Sequence, residues 1–272
     1  MLSKHNSPVN RVEQYEQRGW NVRERRIAVT GPQAAALWQL DGFREAVWPL
    51  RWVGPANGRG GDGMIRTRHW EAPTFIGEVP VAPMNLLLRH LGDLPVHADG
   101  LSDRDRLELA VEDALRRKLV GLDELGVPFG RGAGDRMLQE ILVLRGNEPA
   151  TESYAETRAV QQMRRFGWTP WRQVPIVERG RTLHRVDLVL PFHPRARRPV
   201  LFLPHHGFIN EIDSREFHDG RFYEDHERTL TYDELGYRWM AFTPNQIEHQ
   251  PERVRRAITN AMASRLILPG QC

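Results

Sequence analysis

The chain has 272 residues, 40% of them hydrophobic and 27% charged, and its formal net charge is only +3. This composition excludes a disordered polyelectrolyte, a collagen-like chain and a low-complexity protein, and it is enough for one or two domains with cores of ordinary size. Lysine occurs only at Lys4 and Lys118, so the other 36 basic residues are arginines.

Cys272 is the single cysteine, so one chain holds neither an internal disulfide nor a cysteine-based zinc site. No apolar run reaches the ~18 residues of a membrane helix, and MLSKHNSPVNRVEQ lacks the apolar core of a signal peptide. The expectation is a cytoplasmic protein with no membrane partner.

In chain order, a polar stretch of 26 residues comes first. TGPQAAALWQLDGF then predicts a short helix with Thr30 as N-cap, Pro32 in its first turn and Gly42 beyond its end. Strands are expected over 47–53 and 64–70, joined by GPANGRGGDG. That stretch matches neither a P-loop nor a dinucleotide fingerprint and reads as a plain hairpin or loop connection. Residues 102–119 carry Leu107, Ala110, Val111, Ala114 and Leu115 on one stripe, the pattern of an amphipathic core helix. A second helix, 134–145, stops at Gly146, and NEPAT reads as a linker. The expected domains are therefore 1–146, mixed α+β, and 147–272, α/β.

The second half alternates more regularly. A helix capped by Thr151 or Ser153 runs to Phe166. Strands follow at 171–177, 183–191 and 200–213, then a helix over 221–235, a strand over 237–243 and a last helix over 251–266. The order α-β-β-β-α-β-α predicts a small α/β domain around a mixed sheet. His205 and His206 before Gly207 suggest a bulge or insertion in the third strand. Trp168, Trp171, Tyr237 and Trp239 read as packing residues.

Asp187 interrupts an apolar strand, and Glu211 and Asp213 flank Ile212 at the end of the next. Side chains two apart on a strand share a face. If the two strands are neighbours, three carboxylates converge and need a cation or a raised pKa. A set of hard oxygen donors suits Mg²⁺ or Mn²⁺ better than zinc. The two halves carry nearly balanced charge, so any nucleic-acid interface is local and not a global basic field.

The segments ESYAETR, WRQVPI, HRVDLVLP, NEIDSREFHD and EDHERTLTYDELGYRWMAFT, in that order, resemble the PD-(D/E)XK nuclease superfamily. The branch they most resemble is the one related to the very-short-patch repair (Vsr) endonuclease. The resemblance covers about 120 residues, from Glu152 to the last helix. It implies a restriction-endonuclease-like C-terminal domain that hydrolyses DNA with Mg²⁺ or Mn²⁺. Asp187 and Glu211 would hold the ion, with Asp213 at the position of the usual lysine. His218 would be the general acid or base, Glu156 the acid of the first helix, and Gln173 the glutamine of the first strand. Arg185, Arg215 and Arg228 are the candidate phosphate contacts.

TGPQAAALWQLDGF and GEVPVAPMNLLLRHL resemble AbiEi-type antitoxin or regulator proteins. This implies a second reading: a nuclease-fold protein that no longer cuts and acts as a DNA-binding regulator or as an antitoxin with a toxin partner.

Overall fold

The computed structural model describes residues 27–44, 50–56, 64–93, 101–193, 196–213 and 222–263. The chain divides into two compact units, Met1–Gly146 and Asn147–Cys272, each of mixed α/β composition. The division falls at the NEPAT linker.

The first unit contains β1 (Ala28–Thr30), α1 (Pro32–Leu37), β2 (Arg51–Pro55), β3 (Met64–Thr67), β4 (Thr74–Ile76) and β5 (Val79–Val81). Four helices follow: α2 (Met84–Asp93), α3 (Asp103–Arg116), α4 (Leu122–Gly126) and α5 (Ala133–Arg145). The sheet order is β3-β2-β1-β5-β4. Thr30, expected as a cap, belongs to β1, and Gly31 at φ 71° begins α1 instead. The Thr30 hydroxyl bonds the buried His90 Nδ1 at 2.8 Å, so it is taken by the core. β2 and β3 pair in parallel, so the glycine-rich stretch between them is not a hairpin.

Helices α2 and α5 approach closely through two glycines. A Cβ on Gly134 would lie 2.0 Å from the Arg89 carbonyl oxygen, and one on Gly92 would lie 2.7 Å from the Gly134 Cα. The same contact buries Arg89, which donates to Asp135 at 2.8 Å and to the Asn85 and Leu125 carbonyls, with its guanidinium 4.1 Å from the Phe129 ring centre.

The second unit runs α6 (Tyr154–Arg165), β6 (Trp171–Glu178), β7 (Arg181–Pro191), β8 (Gly207–Ile212), α7 (Phe222–Glu234), β9 (Trp239–Phe242), α8 (Pro244–His249) and α9 (Pro251–Ala263). Ser153 caps α6 by accepting from the Glu156 amide. The sheet order is β6-β7-β8-β9, antiparallel across the first two pairs and parallel across the last. Two apolar clusters sandwich the sheet. One joins Leu188, Leu190, Ile212 and Phe242 to Ala159, Val160, Ile247 and Ile258. The other joins Val186, Val189 and Ile209 to Phe202, Tyr232 and Tyr237.

β8 is shorter than the apolar run that predicts it. Residues 204–206 form a turn, and strand pairing begins only at Gly207, where a Cβ would lie 2.6 Å from Val189. Phe202 is buried while Val200, Leu201 and Leu203 are exposed, so the run is apolar because one residue plugs the core. Helix α8, absent from the sequence reading, starts at a capping box between Thr243 and Gln246.

Candidate active site

The β7–β8 ladder ends at the pair Leu188↔Asn210, so β7 from Arg181 to Asp187 pairs only with β6. Asp187 stands where this two-stranded ribbon leaves the four-stranded sheet. Its Oδ2 accepts from the Ile212 amide at 2.8 Å, and this side chain therefore closes β8 in place of a ladder bond. Glu211, in register one step past the last β7–β8 pair, is 8% exposed. The Tyr232 hydroxyl, from α7, donates to its Oε1 at 2.6 Å, and an Arg228 guanidinium nitrogen lies 3.8 Å from its Oε2.

The two carboxyl groups touch, and both resist ionisation. Asp187 is partly exposed as a residue, yet its carboxyl end is enclosed. Burial raises its pKa well above the usual range, the charge of Glu211 raises it further, and the Ile212 amide and Arg228 oppose this only in part. Burial also raises Glu211, against the lowering effects of the Tyr232 hydroxyl, the Asp187 carboxyl and Arg228. Tyr232 is pushed upward by burial first and then by Glu211, so it remains a donor. Two unit charges about 4 Å apart repel by about 4 kcal/mol at an effective dielectric of about 20. A shared proton relieves this repulsion, and so does a bound cation.

The residues fit a hard divalent ion. Magnesium sites commonly use one or two carboxylates and take their remaining oxygens from water and substrate phosphate. Asp187 and Glu211 supply two such carboxylates, both with pKa values raised chiefly by burial. The expected three-carboxylate convergence does not form. Among the described residues, no group of three or more His, Cys, Asp or Glu side chains is placed to hold a metal ion. Asp213 lies past the end of β8, where the two-residue alternation no longer applies, and its amide donates to the Phe242 carbonyl at 2.8 Å.

Glu156 and Gln173 form a second pair. Gln173 Nε2 donates to Glu156 Oε2 at 2.8 Å, and the same carboxylate accepts from the Glu152 amide and the Ser153 hydroxyl. Glu156 is thus bound into the start of α6, whose apolar side chains pack on the Leu188–Leu190–Ile212 face of the sheet, whereas Glu211 meets Tyr232 on the other face. Gln173 has φ 48°, a left-handed conformation unusual for glutamine, at the level of Asp187 between the pairs Arg172↔Leu188 and Val174↔Val186. Arg198 holds this turn of backbone, donating to the carbonyls of Arg172 at 2.8 Å and Gln173 at 3.0 Å. Backbone strain of this kind concentrates at functional sites.

Of the other residues singled out in the sequence, Arg228 faces Glu211, and Arg185 pairs with Glu152 on the surface. His218 and Arg215 lie outside the described residues. Two neighbours of the pair escaped the sequence reading. Tyr232 follows Arg228 by four residues on α7, the helical spacing that puts both on one face. His184 meets Tyr232 edge to face at 6.3 Å, and its pKa is lowered by burial and then by Arg228. The i, i+4 relation of Arg228 to Tyr232 was readable in the sequence. The place of His184 was not.

Among the described residues, no helix is long and apolar enough to cross a membrane. Compared with protein-family models, with curated proteins and with solved structures, the chain matches none.

Proposed function

We propose that the chain is a metal-dependent endonuclease that hydrolyses phosphodiester bonds in DNA, with its site in the second unit. The observation that carries this reading is the Asp187–Glu211 pair: two touching carboxyls with raised pKa values, placed where a strand ribbon leaves the sheet. The order α6-β6-β7-β8-α7-β9 around a mixed sheet supports assigning this unit to the PD-(D/E)XK superfamily, in its Vsr-like branch.

In this reading Asp187 and Glu211 hold Mg²⁺ or Mn²⁺. When bound, the ion activates water and stabilises negative charge on the phosphate. Tyr232 and the Ile212 amide orient the two carboxylates by donating to their other oxygens. Arg228 offers positive charge beside them for the phosphate. The second unit contains no lysine, so proton transfer cannot follow the superfamily's usual lysine and is assigned to His218. The first unit is assigned an AbiEi-like role in positioning DNA or a partner.

One observation favours the second reading, an inactive fold acting as a DNA-binding regulator or as an antitoxin bound to a toxin. No third acidic or histidine side chain joins the pair among the described residues. Nicking of plasmid and mismatched duplex DNA with Mg²⁺ or Mn²⁺, by the wild type beside Asp187→Ala, decides between them. Cleavage by the wild type alone supports the endonuclease. Equal activity in both, or DNA binding with no cleavage in either, rejects it.

A further inference from the structure

We infer that the free end of the β6–β7 ribbon is an arm that holds the backbone of duplex DNA beside the carboxylate pair. This deepens the endonuclease reading and rests on it. Beyond Asp187 the ribbon has no β8 partner, and Glu178 to Thr182 are exposed throughout. A two-residue turn, Arg179 at φ 50° and Gly180 at φ 80°, closes it between the paired Glu178 and Arg181. Positive φ at both positions is the backbone of a tight hairpin turn, whose twist matches that of the two strands it joins.

The ribbon's exposed end carries Arg179 and Arg181 against one acidic residue, Glu178, and Arg185 further along β7 is paired with Glu152, in a chain whose charge is otherwise nearly balanced. The Arg179 side chain is 92% exposed and only 3.9 Å from its neighbour Glu178. Among the described residues, Arg181 makes no ion pair. Arginine forks match phosphate oxygens, and a two-stranded ribbon fits the major groove of DNA. At ~3.3 Å per strand residue, Arg181 lies about 20 Å along β7 from Asp187. At ~3.4 Å per base pair along each strand, that spans about six base pairs from the scissile phosphate.

The test measures binding of the full chain to a labelled duplex in Ca²⁺ across a salt series, for the wild type, R179A/R181A and R179K/R181K. Thermal melts confirm that each variant is folded. The slope of log K against log salt is expected to fall by about 1.8 in the alanine variant, two phosphate contacts at ~0.9 each, and to be kept in the lysine variant. Cleavage of duplexes trimmed to fewer than about six base pairs beyond the cut should fall in the wild type and be indifferent to the alanine changes. An unchanged slope with intact binding overturns the arm and leaves the endonuclease standing. So does aggregation of the alanine variant with its slope unchanged, since these arginines would then only guard an exposed strand edge. Tighter binding of single-stranded DNA or RNA than of the duplex also overturns the arm. A reduced slope in a protein whose wild type never cleaves retains the arm and rejects the endonuclease.

Discussion

Replacing Asp187 with Asn should stabilise the metal-free protein at alkaline pH while abolishing divalent-ion binding. Asn keeps an oxygen to accept the Ile212 amide and gains an amide donor toward Glu211, so it imitates the protonated carboxyl. In the wild type both carboxyl pKa values are raised above their ordinary values of 3.8 and 4.5. A raised folded pKa means that the folded chain binds the proton more tightly than the unfolded chain does. The stabilisation is complete below the ordinary carboxylate range and is lost as pH climbs through the raised values. Full ionisation of both groups at contact costs up to about 4 kcal/mol, and half of that, about 2 kcal/mol, moves Tm by about 8 °C in a domain of this size. Melting curves in EDTA from about pH 5 to pH 9 should therefore separate progressively, with Asp187→Asn higher at the alkaline end and level with the wild type at the acid end. Saturating Mg²⁺ should raise only the wild type, by about 2.7 kcal/mol at a hundredfold excess over Kd. A Tm difference independent of pH, or an Asn variant less stable throughout, would refute the proposed charge conflict.

Tyr232→Phe removes the hydroxyl that donates to Glu211 at 2.6 Å and should cost about 2 kcal/mol in urea unfolding, with weaker divalent binding in the same protein. In the first unit, His90 is buried with its pKa lowered from 6.5 to about 4, chiefly by burial. A lowered histidine pKa means stability is full above about 6.5 and lost as pH falls toward 4, by about 3 kcal/mol in total. His90→Asn, which keeps a polar partner for Thr30, should flatten that acid limb in melts monitored by circular dichroism. Gly134→Ala, a change worth about 1 kcal/mol of stabilisation in an open helix, should instead destabilise by about 3 kcal/mol in denaturant unfolding, because the new methyl meets the Arg89 carbonyl.

Elements that bury one face along many residues are visible in the sequence, as α3, α6 and β7 are, because their periodicity repeats several times. β1 and β5 have three residues each and are wholly buried, so they show no alternation to read. The pairing of Asp187 with Glu211 was legible from two acids interrupting adjacent apolar strands. The exclusion of Asp213 was not, because strand alternation predicts a face only while the strand lasts. Glu156 shows a similar limit. Its spacing from Ser153 is that of a capping box, and Ser153 does cap the Glu156 amide, but the Glu156 carboxylate accepts instead from the Glu152 amide, the Ser153 hydroxyl and Gln173.

Legible from the chain alone were the mixed α/β class of each half, the division after Gly146, the lack of lysine in the second unit and the two acids, Asp187 and Glu211, that meet in space. These follow from composition and from local periodicity, which need no knowledge of what lies across the fold. Tertiary structure alone decided that β8 yields its last amide to Asp187, that Tyr232 and Arg228 arrive from α7 to flank Glu211, and that Gln173 is held left-handed at the same level. Each of these joins residues far apart in the chain. The physical reason is that the energy of a buried charge is set by whatever surrounds it in space, and most of those groups are distant in sequence.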